Sequence, residues 1–148
     1  MTAAPDDTSV KNALIVDDEP ANRDFLLRLI EQAGFKTYGA ASGKQAIETA
    51  SELTPAPQVL IIDSQLPDTT GLELIKTFRE KYPPSTLIMA TMLDVRDLIA
   101  TAFEHKVDVF LVKPHGFMEL FRRLQQLDQD PDLLKRIIID SLGARPYR

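Results

Sequence analysis

Five polar residues stand at the ends of apolar runs, and their chemistries complement one another. Asp17 and Asp18 follow Ala13-Leu14-Ile15-Val16, and Asp63 follows Gln58-Val59-Leu60-Ile61-Ile62. Thr91 ends the run that starts at Thr86, and Lys113 ends the run from Val107 to Val112. Three carboxylates brought together repel unless a cation or a proton compensates, and a hard divalent ion with oxygen ligands is the natural compensator. A lysine and a hydroxyl beside such a site supply positive charge and a hydrogen-bond donor, which is what a phosphoryl group needs. Aspartate is itself a covalent acceptor of phosphoryl groups. Each residue alone has a plainer explanation. An Asp ahead of Pro20 is often a helix cap, an Asp closing a strand is usually a turn residue, Thr91 is a β-former at a strand end, and Lys113 is a solvated charge. It is the set, in this order, that points to chemistry.

Such a set needs a scaffold that gathers strand ends. Pro20 suits the first turn of a helix, Phe25, Leu26, Leu29, Ile30 and Ala33 recur at helical spacing, and Gly34 provides the stop. Phe35 to Ala40 is a second strand candidate. Ser42-Gly43-Lys44-Gln45 has the form of a capping box and opens a helix expected to bury Ala46, Ile47, Ala50 and Leu53. Pro55 and Pro57 break the chain before the third run. After a loop with Pro67, Thr70-Gly71-Leu72-Glu73 is another capping box, leading a helix with Leu72, Ile75 and Phe78 inward that Pro83-Pro84 closes. Asp94 is expected to cap a fourth helix carrying Val95, Leu98, Ile99, Ala102 and Phe103, and a fifth carries Phe117, Leu120, Phe121 and Leu124. Five β-then-α units with continuous apolar strands predict an α/β fold, a doubly wound five-stranded parallel sheet of flavodoxin-like order 2-1-3-4-5. Ligands of such sheets bind beyond the carboxyl ends of the strands where the order reverses, and there the three carboxylates would meet.

One segment lies outside the five units. Asp130-Pro131-Asp132 is expected to start an extra C-terminal helix with Leu133, Leu134, Ile137, Ile138 and Leu142 on an apolar side, stopped by Gly143 and Pro146. The remaining properties narrow the field. A chain of 148 residues, 44% hydrophobic and 26% charged, is the size and mixture of one globular domain. Its net charge of −5 gives no electrostatic reason to wrap nucleic acid or sit on an anionic membrane. The absence of cysteine excludes disulfides, thiolate catalysis and cysteine-ligated metals, and with only His105 and His115 a histidine-rich metal site is not expected. Met1 to Val10 reads as a frayed terminus and not a signal peptide, and no apolar stretch approaches a membrane span, so a cytoplasmic address is the default.

From about Lys11 to Leu127 the chain resembles the receiver domain of two-component response regulators, in the manner of the chemotaxis regulators. The matching pieces are Leu14-Ile15-Val16-Asp17-Asp18, Ser42-Gly43 with Ala46, Ile61-Ile62-Asp63 with Pro67 and Gly71, Ala90-Thr91, and Phe110-Leu111-Val112-Lys113-Pro114. The resemblance implies that Asp63 is the phosphorylation site, served by a phosphohistidine of a sensor kinase or phosphotransfer protein or by a small phosphodonor. It implies Mg2+ held by Asp18, Asp63 and the backbone carbonyl of Gln65, with Asp17 acting mostly through water. Thr91 would hydrogen-bond the phosphoryl oxygens, Lys113 would pair with them, and the bond before Pro114 would be cis. Phe110 would be the switch aromatic, turning into space released by Thr91 and altering the surface of the fourth helix, fifth strand and fifth helix. The alternative for Phe110 is a simple core aromatic.

That surface would engage a downstream protein target, an output domain or a second copy. The chemistry implied is self-catalysed phosphoryl transfer and autodephosphorylation, without enzymatic turnover. The chain departs from the family's pattern at Lys106, where Gly usually ends the fourth helix, and at Met92, where a small residue is common. Gln65 and Leu93 occupy positions that tune dephosphorylation, and His115 reads as a solvated loop residue. Two rivals stand against this reading. A haloacid-dehalogenase-like phosphatase would need an acid where Gln65 stands, and a degenerate receiver used only for docking would not need the intact set. The expected division is a disordered segment over 1–10, a receiver over 11–127, and a helical extension or linker stub over 128–148. The residues after Leu127 are too few for a helix-turn-helix module. Output is therefore expected through protein contacts, without direct nucleic acid or membrane, unless the chain is a piece of a longer protein.

Overall fold

The apolar runs become strands covered on both faces by helices. The computed structural model describes residues 10–93 and 96–148, so the expectations for the first residues and for Asp94 and Val95 lie outside the described residues. Five βα units follow one another: β1 (Asn12–Val16), α1 (Pro20–Gln32), β2 (Lys36–Ala40), α2 (Gly43–Glu52), β3 (Val59–Asp63), α3 (Gly71–Lys81), β4 (Thr86–Thr91), α4 (Arg96–Glu104), β5 (Val109–Val112) and α5 (Phe117–Gln125). The strands pair in parallel in the order β2-β1-β3-β4-β5. Alternate residues of each strand enter two cores. Ile15, Ile61, Ile88 and Leu111 pack with Leu26 and Ile30 of α1 and Leu120 and Leu124 of α5. Leu14, Leu60, Met89 and Phe110 pack with Ala46 of α2, Ile75 and Phe78 of α3, and Phe103 of α4. The doubly wound arrangement is the expected one.

The helix signals work with small adjustments. Ser42 Oγ accepts from Gln45 N–H at 3.1 Å, while the Gln45 side chain reaches one residue further back, accepting from Ala41 N–H at 2.7 Å. Thr70 Oγ1 accepts from Glu73 N–H at 3.2 Å. The α1 cap is Glu19, accepting from Ala21 N–H at 3.1 Å, which leaves Asp18 without a capping task. Leu53 and Leu72 are half-buried, and Leu74 is buried beside Ile75. Phe25 is exposed, yet its ring lies 5.5 Å from that of Phe117. Lys106 takes the left-handed φ of 71° that a glycine would take without strain, and its carbonyl accepts from Arg79 Nε at 3.0 Å. The end of α4 keeps its turn in spite of the lysine.

The C-terminal segment overturns the sequence-based expectation of an extra helix. Pro131–Leu134 forms one 3-10 turn, Arg136 breaks direction at φ 55°, and two strands follow. β6 (Ile137–Asp140) pairs in parallel with β5, and β7 (Gly143–Pro146) returns antiparallel on β6, giving a seven-stranded sheet. The cause is the run of three β-branched residues. Ile137 and Ile139 enter one core and Ile138 the other, a period of two that buries all three, whereas a helix would have turned at least one away. Leu142, counted on the apolar side of the expected helix, sits at the hairpin turn and is 89% exposed. The hairpin closes the free edge of β5. Tyr147 stacks on Phe103 of α4 with ring centroids 4.1 Å apart, and the Arg136 guanidinium lies 5.2 Å from the Tyr147 ring centre. Arg123 of α5 donates to the Leu133 carbonyl at 2.8 Å.

Two consequences are testable. Asp140 is buried; burial pushes its carboxyl up, but Arg145, 2.6 Å away, and the Leu142 N–H at 2.9 Å outweigh it and hold it below the usual carboxylate value. A depressed carboxyl stabilises the fold above its unfolded value and loses that contribution as pH falls through the folded one. Acidification from neutrality to about pH 2 is therefore expected to loosen β6–β7, seen as NMR shift changes at Ile139 and Ala144 that Arg145→Ala reproduces at neutral pH. The second concerns Gly71, where a Cβ would collide with the Asp63 carbonyl oxygen and come within 2.9 Å of Ser64 Cα. Gly71→Ala is expected to cost roughly 1–3 kcal/mol in urea unfolding, as overpacking against backbone does.

Candidate functional site

The strand order brings the carboxyl ends of β1, β3, β4 and β5 to one edge, and with them the five predicted residues. Asp17 follows β1 and is only 2% exposed. Its backbone N–H donates to Ala40 O at 3.0 Å, and its Oδ1 accepts from Glu19 N–H at 2.9 Å. Its Oδ2 accepts from Lys113 Nζ at 2.9 Å, and its carbonyl accepts from Arg23 at 2.8 Å. Lys113 is itself 7% exposed and also faces Asp63 Oδ1 at 3.6 Å. Asp18 is exposed and Asp63 half-buried, and one carboxylate oxygen from each of Asp17, Asp18 and Asp63 lies within 4.8 Å of the others. The Lys113-Pro114 peptide bond is cis, as is Thr54-Pro55.

Above this cluster lies a cavity of about 360 Å³ lined by Asp18, Asn22, Asp63, Ser64, Gln65, Thr91, Met92, Leu93 and Lys113. Asp17 lies beneath it, held by Lys113. Burial pushes the Asp63 carboxyl above its ordinary value; Lys113 opposes that, Asp17 reinforces it, and the N–H groups of Ser64 and Gln65 oppose it again. One ammonium facing three carboxylates leaves the site short of positive charge, so a divalent cation or an electrophile that neutralises Asp63 would be welcome there. Thr91 is 2% exposed; its hydroxyl oxygen accepts from Leu93 N–H at 3.1 Å and lies 2.9 Å from Ser64 Oγ. Met92 is an exposed residue on the cavity rim. Phe110 is fully buried in the core on the α2–α3–α4 side, in register with Met89 on one strand and Ile138 on the other. His115 is exposed.

The loop after Asp63 is built as tightly as the strands. Gly71 N–H donates to Ser64 O at 2.8 Å, Gln65 and Thr70 form an antiparallel bridge, and Leu66 N–H donates to Thr69 O at 3.1 Å. Both carboxylate oxygens of Asp68 accept from the first N–H groups of α2, Gly43 at 2.8 Å and Lys44 at 2.9 Å, which lowers its carboxyl below the usual range. Asp68 thus caps a neighbouring helix and ties the loop carrying Gln65 to it. Sequence reasoning passed over Asp68, Ser64 and Asn22. Ser64 was within reach, since a small hydroxyl directly after a strand-end Asp faces the same edge. Asp68 was not, because its partners are 24 and 25 positions away.

Similarity to known proteins agrees with this geometry. The family model described as response regulator receiver domain matches residues 13–125. The chain is 33% identical over 138 residues to the transcriptional regulatory protein TrcR of Mycobacterium tuberculosis, covering 92% of this chain and 52% of that protein. It is 33% identical over 114 residues to the KDP operon transcriptional regulatory protein KdpE of Escherichia coli, covering 77% and 49%. The chain therefore spans about half the length of the curated relatives it matches. Among solved structures, the chemotaxis protein CheY4 of Vibrio cholerae superposes with a TM-score of 0.71 at 26% identity, covering 79% of this chain and 98% of that one. With a parallel sheet of the expected order, an acidic cluster at its carboxyl edge and a family match over most of its length, the chain belongs to the response regulator receiver domain family of two-component signal transduction.

Proposed function

We propose that this chain is a phosphorylation-activated switch in which Asp63 accepts a phosphoryl group from a phosphohistidine of a sensor histidine kinase or phosphotransfer protein. The observation that carries this reading is the cluster itself. Three carboxylates lie within 4.8 Å of one another, with Lys113 reaching both Asp17 and Asp63 at the base of an open cavity. In the transfer, an Asp63 oxygen attacks phosphorus, the P–N bond to the donor imidazole breaks, and the imidazole leaves with the electron pair. Asp17, Asp18 and Asp63 are a fitting oxygen set for Mg2+, and Gln65, which lines the same cavity, would add its backbone carbonyl. Bound there, the ion would neutralise charge on the transferring group. Lys113 supplies positive charge to the phosphoryl oxygens, and Thr91 supplies a hydroxyl donor once the group has arrived. The product is an acyl phosphate on the protein, so the chain acts once per signal and not as a turnover enzyme.

The switch is then a population shift between two packings around Thr91 and Phe110. Because β6 covers the β5 edge, Phe110 has Ile138 as its neighbour, and the signal would reach the β6–β7 hairpin as well as α4. A second copy approaching α4–β5–α5 would meet the hairpin first. The output is contact with a downstream protein or output domain; a net charge of −5 gives this chain no electrostatic hold on nucleic acid. Among the described residues no helix is long and apolar enough to cross a membrane, which fits an encounter with the kinase's cytoplasmic part. The receiver is assigned to residues 11–127. All five polar groups are present in one cluster, which weighs against a degenerate receiver used only for docking.

Intact-mass analysis after treatment with acetyl phosphate and Mg2+ is expected to reveal one added phosphoryl group, absent with chelator and absent from Asp63→Asn. A mutant labelled to the same stoichiometry would sink the assignment of Asp63. Lys113→Ala strands Asp17 without its buried partner and is expected to cost about 3 kcal/mol in urea unfolding. It should still bind Mg2+, yet phosphorylation should no longer shift the NMR signals of Phe110 and Ile138; shifts equal to wild type would count against the role given to Lys113.

A further inference from the structure

Ser64 sits directly after the acceptor and has been given no task. Its hydroxyl lies 2.9 Å from Thr91 Oγ1, and Leu93 N–H donates to the same Thr91 oxygen at 3.1 Å. A threonine hydroxyl has one proton and two lone pairs. Leu93 occupies one lone pair, so the proton still needs an acceptor. Thr91 lines the cavity too but is only 2% exposed, so water reaches its hydroxyl less readily than that of Ser64. Among the described residues Ser64 Oγ is the acceptor within hydrogen-bond distance. Ser64, by contrast, is half-buried on the wall of the open cavity and has solvent for its own proton. Either hydroxyl is placed to donate in this contact, and the arrangement that satisfies both groups while Asp63 carries no phosphoryl group is Thr91 donating to Ser64.

From this we infer that Ser64 is a positioning residue: its hydroxyl holds the Thr91 proton in the resting chain and competes for it with a phosphoryl group on Asp63. The inference rests on the reading of Asp63 as the acceptor. Thr91 has a single proton to give, so it serves Ser64 or the phosphoryl oxygen, not both. The charged oxygen is the stronger acceptor and wins when present. The bond to Ser64 is what it must displace, and that displacement lowers the occupancy of the activated arrangement at any given level of donor. No atom of Ser64 enters the transfer. Its side chain sets the balance between the two states of Thr91.

The test is a titration of the full chain with beryllofluoride, a phosphoryl mimic, in the presence of Mg2+, followed by NMR at Thr91 and Phe110. Ser64→Ala removes the competitor and is expected to lower the half-saturating concentration about two- to tenfold, the range of one neutral hydrogen bond. Ser64→Thr keeps the hydroxyl and should titrate like wild type. In a Thr91→Ala background the Ser64→Ala effect should vanish, since there is no proton left to compete for. Affinity for Mg2+ alone should be the same in wild type and Ser64→Ala, which a general loosening of the site would not produce. An unchanged or raised half-saturating concentration in Ser64→Ala, with wild type binding normally, overturns the role of Ser64 alone. Absence of beryllofluoride binding by wild type overturns the acceptor reading of Asp63, and this inference with it.

Discussion

The buried ion pair between Lys113 and Asp17 is the contact on which the site's geometry depends. It joins the end of β5 to the end of β1 across the two strands between them, at 2.9 Å with both groups buried. Such a pair gains little net stability, because the loss of hydration offsets most of the attraction, but breaking it leaves a buried charge without a partner. It therefore specifies position more than it adds energy. Lys113 is committed to Asp17 and stands 3.6 Å from Asp63, so Asp63 receives only part of a counter-charge. Burial and the Asp17 charge then hold the Asp63 carboxyl above its ordinary value. The unmet demand for positive charge is built in by strand order, and it is what makes the edge receptive to a divalent ion.

Holding that edge rigid is the work of the loop after β3. Gly71 comes so close to the Asp63 backbone that no side chain fits, and Asp68 binds the first amides of α2 through both oxygens. The loop after Asp63 is thus fixed at its far end by α3 and at its middle by a different βα unit. On the other side of the site, the hairpin changes what the fifth strand can do. In a sheet ending at β5, Phe110 would face an open edge; here it lies between Met89 and Ile138, and Tyr147 covers Phe103. A rearrangement at Thr91 that moved Phe110 would press on the chain's own β6 before reaching any other molecule.

The residues that terminate the apolar runs were legible because the chemistry of an α/β sheet lies at one edge and the runs are continuous. Asp17, Asp18, Asp63, Thr91 and Lys113 could be named from that rule, and five βα units left little choice of topology. The hairpin was not legible. Leu133, Leu134, Ile137, Ile138 and Leu142 satisfy a helical period on paper, and over so short a window periodicity cannot separate a helix from a turn followed by a strand. The three isoleucines carried the better signal, since β-branched runs favour strands. The non-local pieces had no signal at all: Asp68 capping α2, Arg79 holding the Lys106 carbonyl, and Arg136 lying over Tyr147 join residues that only the fold brings together.

Three of the polar groups that face the cavity already have partners in the resting chain. Lys113 has Asp17, Thr91 has Ser64 and Leu93, and Asp63 has the N–H groups of the two residues that follow it. A resting site with free donors would have to leave buried polar groups unsatisfied, which costs as much as the contacts made later would return. On the proposed reading, placing a phosphoryl group on Asp63 is in large part an exchange of partners. An exchange of partners changes the free energy by less than an addition of new contacts would, which suits a reversible switch. A site with the same five residues but no resting partners would bind its ligand tightly and have little left with which to drive a change elsewhere.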